Sequence, residues 1–132
     1  FAYRGQHYTV QPTTFPTIGA CVQQPRPPVW CVGAIGSERS MARALRWDGL
    51  LPQVVGTDGA RAATLDEVAA VRARVGDRPY DIVVEGEHTE HSPAAWADAG
   101  ATWWIESMWG ALREKSAATA AIDRLREGPP ST

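Results

Sequence analysis

The chain has 132 residues, enough for one ordinary domain with a real core, and 44% of them are hydrophobic against 21% charged. A net charge of -2 with no basic face argues against nucleic acid as a partner, and no apolar stretch nears the ~20 residues of a bilayer span. Two cysteines, Cys21 and Cys31, are too few for a disulfide scaffold, so free thiols and a reduced, cytoplasmic setting are expected.

The first residue is Phe1 and not methionine, and the chain opens in what reads as a strand or loop, so a piece of a longer protein is expected. Residues 1–28 are rich in Pro, Thr and Gln without helical period, and read as a proline-rich lead-in, an extended hairpin or a long connection. Residues 29–132 then read as four strand-helix units. The run from Val29 to Gly33 is a buried strand bounded by Pro and Gly. Ser37 caps a helix with Met41, Ala44 and Leu45 on one face, reaching about Trp47.

"WDGLLPQVV" is the second strand, and Thr64 with Glu67 forms a capping box for a helix carrying Leu65, Val68, Val71 and Val75. Tyr80 to Glu85 is the third strand. Ser92-Pro93 starts a helix, and Gly100 stands where a left-handed C-cap belongs. "ATWWIES" is the fourth strand. A last helix runs from Lys115 to Glu127 with Ile122 and Leu125 inward, stopped by Gly128-Pro129-Pro130.

Strands that alternate with helices and are apolar on both faces make a parallel sheet covered by helices. A small doubly wound sheet and half of an eight-fold barrel both fit. In the third and fourth strands one alternating face ends in a carboxylate, Glu85 and Glu106 respectively, at the C-terminal end where a barrel keeps its chemistry; this leans toward the barrel. The plain alternative is a solvated carboxylate at a strand end.

The succession "HYTVQPTTF…QPRPPVWCVGAIG", "RALRWDGLLP", "YDIVVEG", "AGATWWIES" and "REGPP" resembles the second half of luciferase-like flavin-dependent oxidoreductases and monooxygenases, over nearly the whole chain and in the family's order. The resemblance implies an α/β fold of the (β/α)8 TIM-barrel type with the last four βα units present, a half-barrel fragment. It implies FMN, or alternatively a reduced deazaflavin coenzyme, and a small organic substrate. The intact parent would be the enzyme, and this chain alone is expected to be inactive.

On that resemblance the flavin phosphate falls to Gly33, Ala34, Gly36 and Ser37, at a strand-to-helix junction whose free N–H groups and helix dipole favour an anion. Arg39 adds a charge in the first turn. The family places two consecutive glycines here, whereas this chain has Gly33-Ala34 with the next glycine at Gly36, which puts the loop geometry in doubt. A tight turn with Ser37 as an ordinary N-cap is the competing reading.

Glu106, with Ser107 beside it, is a candidate pocket residue on the last strand. Asp48-Gly49 matches the family's sixth-strand dipeptide and reads as a structural turn.

Two further readings belong to other classes. A non-catalytic or self-assembling half-barrel would present open strand edges, and a homo-oligomer would answer them. The run from Glu85 to His91, three carboxylates and two histidines in seven residues, has the ligand chemistry of a metal-dependent hydrolase, although it reads as a polar loop. Trp30, Trp103 and Trp104 read as packing, Cys31 as a small hydrophobe, and only His7, His88 and His91 are available as an imidazole base.

Overall fold

The structure, a computed structural model, describes residues 1–16, 19–86, 90–108 and 115–129. The chain is a mixed α/β protein. A two-stranded hairpin, β1 (Tyr3–Arg4) and β2 (Thr9–Val10), precedes a mostly parallel sheet. Its elements are β3 (Trp30–Ile35), α1 (Glu38–Ala44), β4 (Gly49–Gly56), β5 (Gly59–Ala62), α2 (Leu65–Val75), β6 (Asp81–Gly86), α3 (Pro93–Asp98), β7 (Trp103–Glu106) and α4 (Lys115–Arg126).

The parallel strands lie side by side in chain order, β3-β4-β6-β7. Crossovers between parallel strands share one hand as a rule, so an unreversed order puts the connecting helices on one face of the sheet. The core shows this. Met41 and Ala44 of α1, Val68, Val71 and Val75 of α2 and Trp96 of α3 pack in one cluster with Leu50, Ile82 and Val84 from the strands. The opposite face carries Trp30, Val32, Leu51, Val83, Trp103 and Ile105, and no helix among the described residues lies over it; Trp30 and Trp103 are 36% and 53% exposed. A doubly wound sheet would reverse its order at a switch point and cover both faces.

The local signals at the helix starts are realised. The Ser37 side chain accepts from Ser40 N–H, Ser92 accepts from Ala95 N–H ahead of Pro93, and Gly100 follows α3 with φ +95°. In α2 the Thr64 hydroxyl accepts from Glu67 N–H at 3.3 Å, while Thr64 N–H donates to the Glu67 carboxylate at 2.9 Å.

Arg61 also binds Glu67, at 2.8 Å, and this guanidinium first, then the Thr64 N–H, lowers the carboxyl pKa from 4.5 to about 2. The group's contribution to stability is therefore complete above pH 4.5 and is lost as pH falls toward 2. Glu67→Gln keeps the cap, since glutamine serves a capping box. Thermal melts of this variant from pH 6 to pH 2 are expected to show a shallower acid loss than wild type, and an identical slope would remove Glu67 as its source.

Four expectations are corrected. β3 runs on to Ile35, two residues past the anticipated end, so Gly33 and Ala34 lie inside the strand, paired in register with Pro52 and Gln53. α1 ends at Ala44, one turn early. An additional strand, β5, folds back antiparallel on β4. Ile122 and Leu125 of α4 are 50% and 67% exposed, because α4 has no buried residue and no described strand lies beyond β7 for its apolar side to cover.

β5 decides the shape of the sheet's C-terminal end. β4 pairs with β6 only at Gly49 and Leu50, then pairs with β5 from Gln53 to Gly56. Pro52, which has no N–H to donate, falls between the two pairings. The hairpin thus wedges β4 and β6 apart at their C-terminal ends.

At the other end the lead-in is tied down. Asp48 accepts from Val29 N–H at 2.6 Å and from Arg26, which lowers its carboxyl pKa.

Candidate functional site

The splayed strand ends enclose a cleft of about 370 Å³, lined from β4 by Leu51 and Gln53, from β5 by Arg61, from β6 by Glu85, and by Glu90 and Ser107. Arg61 enters the cleft already bound by Glu67. By contrast, the side chains of Gln53, Glu85 and Ser107 make no hydrogen bond within the described residues and stand available to a ligand. Ser107 is held by its own N–H, which donates to Gly86 C=O at 3.1 Å. Glu85 shares its face of β6 with Asp81 and Val83, the face that no helix among the described residues covers. A polar trio on an apolar wall, at the C-terminal end of parallel strands, can bind and orient a small molecule with donor and acceptor groups.

The anticipated phosphate residues separate into two pairs. Gly33 is buried against α1: a Cβ there would lie 3.0 Å from Met41 Sδ and 3.6 Å from Ala44 Cβ. Its glycine lets helix and strand approach. Ala34 N–H donates to Ser40 Oγ at 3.1 Å, and Ala34 C=O accepts from Ser37 N–H at 3.0 Å. Gly36 and Ser37 are exposed at the junction; Gly36 has φ +90° and nothing within 4 Å of where a Cβ would be. Arg39, in the first turn of α1, is exposed and makes no ion pair among the described residues.

Glu106 lies on the helix-covered side of β7, on the face of Trp104, and Arg124 of α4 donates to it at 2.8 Å. Its neighbour Ser107 is the residue that reaches the cleft.

Of the Glu85–His91 run, Glu87, His88 and Thr89 lie outside the described residues. His91 packs edge-on against Trp96, with ring centroids 5.3 Å apart. Among the described residues no three His, Cys, Asp or Glu side chains gather to hold a metal ion. Asp48 and Gly49 sit at the opposite end of the sheet from the cleft. No helix among the described residues is long and apolar enough to cross a membrane.

Gln53 and Arg61 were not singled out from the sequence. Their signal was Asp58-Gly59 after an apolar strand, a hairpin turn that brings Arg61 back beside Gln53.

Compared with known proteins, the chain matches no family model, no curated protein and no solved structure at a significant level.

Proposed function

We propose that this chain supplies four βα units of a luciferase-like flavin-dependent oxidoreductase barrel, with the flavin and a small organic substrate at the C-terminal ends of the parallel strands. The observation that carries the reading is the one-sided sheet. Its four parallel strands run in chain order under helices on a single face, and Trp30 and Trp103, from the two outer strands, meet over the inner ones at 5.5 Å. Barrel strands line a lumen in this way, and barrel chemistry collects where the cleft lies. The succession of motifs from "PPVWCVGAIG" to "AGATWWIES" supplies the flavin part of the reading.

The residues at the β3–α1 junction fit a phosphate group in a narrower form than the motif alone suggests. Gly36 leaves the approach open, Ser37 offers a hydroxyl, and Arg39 offers a guanidinium that makes no ion pair among the described residues. Gly33 and Ala34 shape the junction from within the strand. When bound, FMN or a reduced deazaflavin would supply hydride transfer or oxygen activation, chemistry that no side chain here provides. Gln53, Glu85 and Ser107 would hold the substrate's polar groups beside it.

Titration with FMN and with riboflavin, which lacks the phosphate, tests the assignment. FMN is expected to bind at least tenfold more tightly, and Arg39→Ala to erase most of that preference, since a charge-assisted hydrogen bond contributes about 1.5–3 kcal/mol. Equal affinity for the two ligands removes the phosphate site. No binding of FMN or a deazaflavin by a folded chain removes the flavin reading for it.

A further inference from the structure

We propose that the cleft holds a ligand hydroxyl between the indole N–H of Trp104 and the carboxylate of Glu90, in the space that a side chain at Gly86 would take. The proposal rests on the cleft as the substrate site of the proposed function, and not on the flavin.

Trp104 Nε1 is buried and has no hydrogen-bond partner among the described residues. Buried polar groups are nearly all paired, so an unpaired donor beside a cleft marks a place where a ligand can supply the partner. The strand register brings this N–H to the cleft. Trp104 pairs with Val84, and Val84 and Gly86 line the cleft from the helix-covered side of β6. Gly86 puts no side chain in between: a Cβ there would lie 3.8 Å from Trp104 Nε1 and 3.8 Å from Glu90 Oε2. The Glu90 side chain is exposed and makes no hydrogen bond within the described residues. It is free to turn aside as a ligand enters and then to accept from it.

These two groups set the class of ligand. An indole N–H only donates and a carboxylate only accepts. A single atom that accepts from the first and donates to the second is a hydroxyl oxygen. An ether oxygen cannot donate, and an ammonium cannot accept. Arg61 does not change this selection, because Glu67 holds its guanidinium at 2.8 Å and balances its charge. Leu51 and Val84 offer an apolar wall for the carbon body of the ligand. The Trp104 N–H is closed to water, so it gives up no hydrogen bond when the ligand arrives, and the new bond counts nearly in full.

Cyclohexanol, methoxycyclohexane and cyclohexylammonium share a ring and differ in this one property. Each is titrated into the isotope-labelled chain without flavin, following the indole and backbone N–H signals by NMR. Cyclohexanol is expected to bind at least about fivefold more tightly than either of the others, since each of them loses one of two hydrogen bonds. It is also expected to move the Trp104 indole signal, identified among the six tryptophans by its absence in Trp104→Phe.

Gly86→Ala is expected to keep the native spectrum, because its Cβ meets both neighbours at ordinary contact distance, and to weaken cyclohexanol by a similar factor by filling the place of the ligand oxygen. Glu90→Ala, at an exposed position, should bring cyclohexanol down to the affinity of the ether. Equal binding of alcohol and ether by wild type, tighter binding of the ammonium, or cyclohexanol binding untouched by Gly86→Ala overturns the inference and leaves the cleft standing. If no probe moves the signals of Gln53 and Ser107, the cleft and the inference fall together. The flavin reading is judged by the FMN titration alone.

Discussion

Gly49→Val is expected to lower the urea midpoint of unfolding so far that little native protein remains near 2 M denaturant. A Cβ at position 49 would lie 2.6 Å from Trp30 Cδ1, 2.7 Å from Asp81 Cβ and 2.8 Å from Asp81 C=O. The last two belong to β6 at the residue paired with Gly49, so relief by backbone movement breaks the short β4–β6 ladder. Relief by moving the indole gives up its hydrogen bond to Asp81 and its contact with Trp103. Overpacking costs about 1–3 kcal/mol, a lost hydrogen bond about 1 kcal/mol, and the ring contact about 0.5–1.5 kcal/mol. Together these take a large part of the roughly 5–15 kcal/mol that holds a domain folded. Gly19→Ala, where nothing lies within 4 Å, is the control and should leave the midpoint in place. An unchanged midpoint for Gly49→Val would mean that Trp30 does not rest on β4 at all.

Gly49 also shows what the sequence made legible and what it left out. Its reading as a structural position at the start of a strand came from the Asp-Gly pair; the reason for a glycine there, an indole from another strand lying across it, is a tertiary contact that no local pattern contains. The caps were legible because each is a hydrogen bond between residues three apart: Ser37 with Ser40, Thr64 with Glu67, Ser92 with Ala95. β5 was not, because Gly59–Ala62 is exposed throughout and is held by backbone pairing to β4. It has no apolar alternation to read. The end of β3 was missed for the opposite reason: Gly33 and Ala34 looked like a loop by composition, while ladder pairing with β4 and the close approach of α1 make them strand.

The carboxylates of the candidate site divide along the same line. Alternation correctly groups Glu106 with Trp104, and Glu85 with Val83. Alternation cannot say which group meets the helices, and that choice separates a cleft residue from a structural one. Strand order settled it, since four parallel strands in chain order put all the helices on the Trp104 side.

Arg124→Met is accordingly expected to release α4 without unfolding the sheet. Arg124 and Glu106 have side chains only 10% and 17% exposed, and Arg124 also donates to Gly128 C=O at 2.7 Å. Removing one member of a buried pair costs about 3–5 kcal/mol when the other charge stays buried. Here it need not stay buried. α4 has no buried residue, so water reaches Glu106 as soon as the helix lifts, and the cost is capped at the docking energy of α4. The expected result is a loss of circular-dichroism helicity equal to the 12 residues of α4 and new proteolytic cleavage near Lys115, with the unfolding free energy of the rest, from urea titration, changed by less than about 0.5 kcal/mol. Glu106→Gln, which keeps a hydrogen-bond acceptor, should release α4 only partly. FMN affinity should stay within twofold in both variants if Glu106 holds a helix; a tenfold loss in Glu106→Gln with α4 still docked would return it to the pocket.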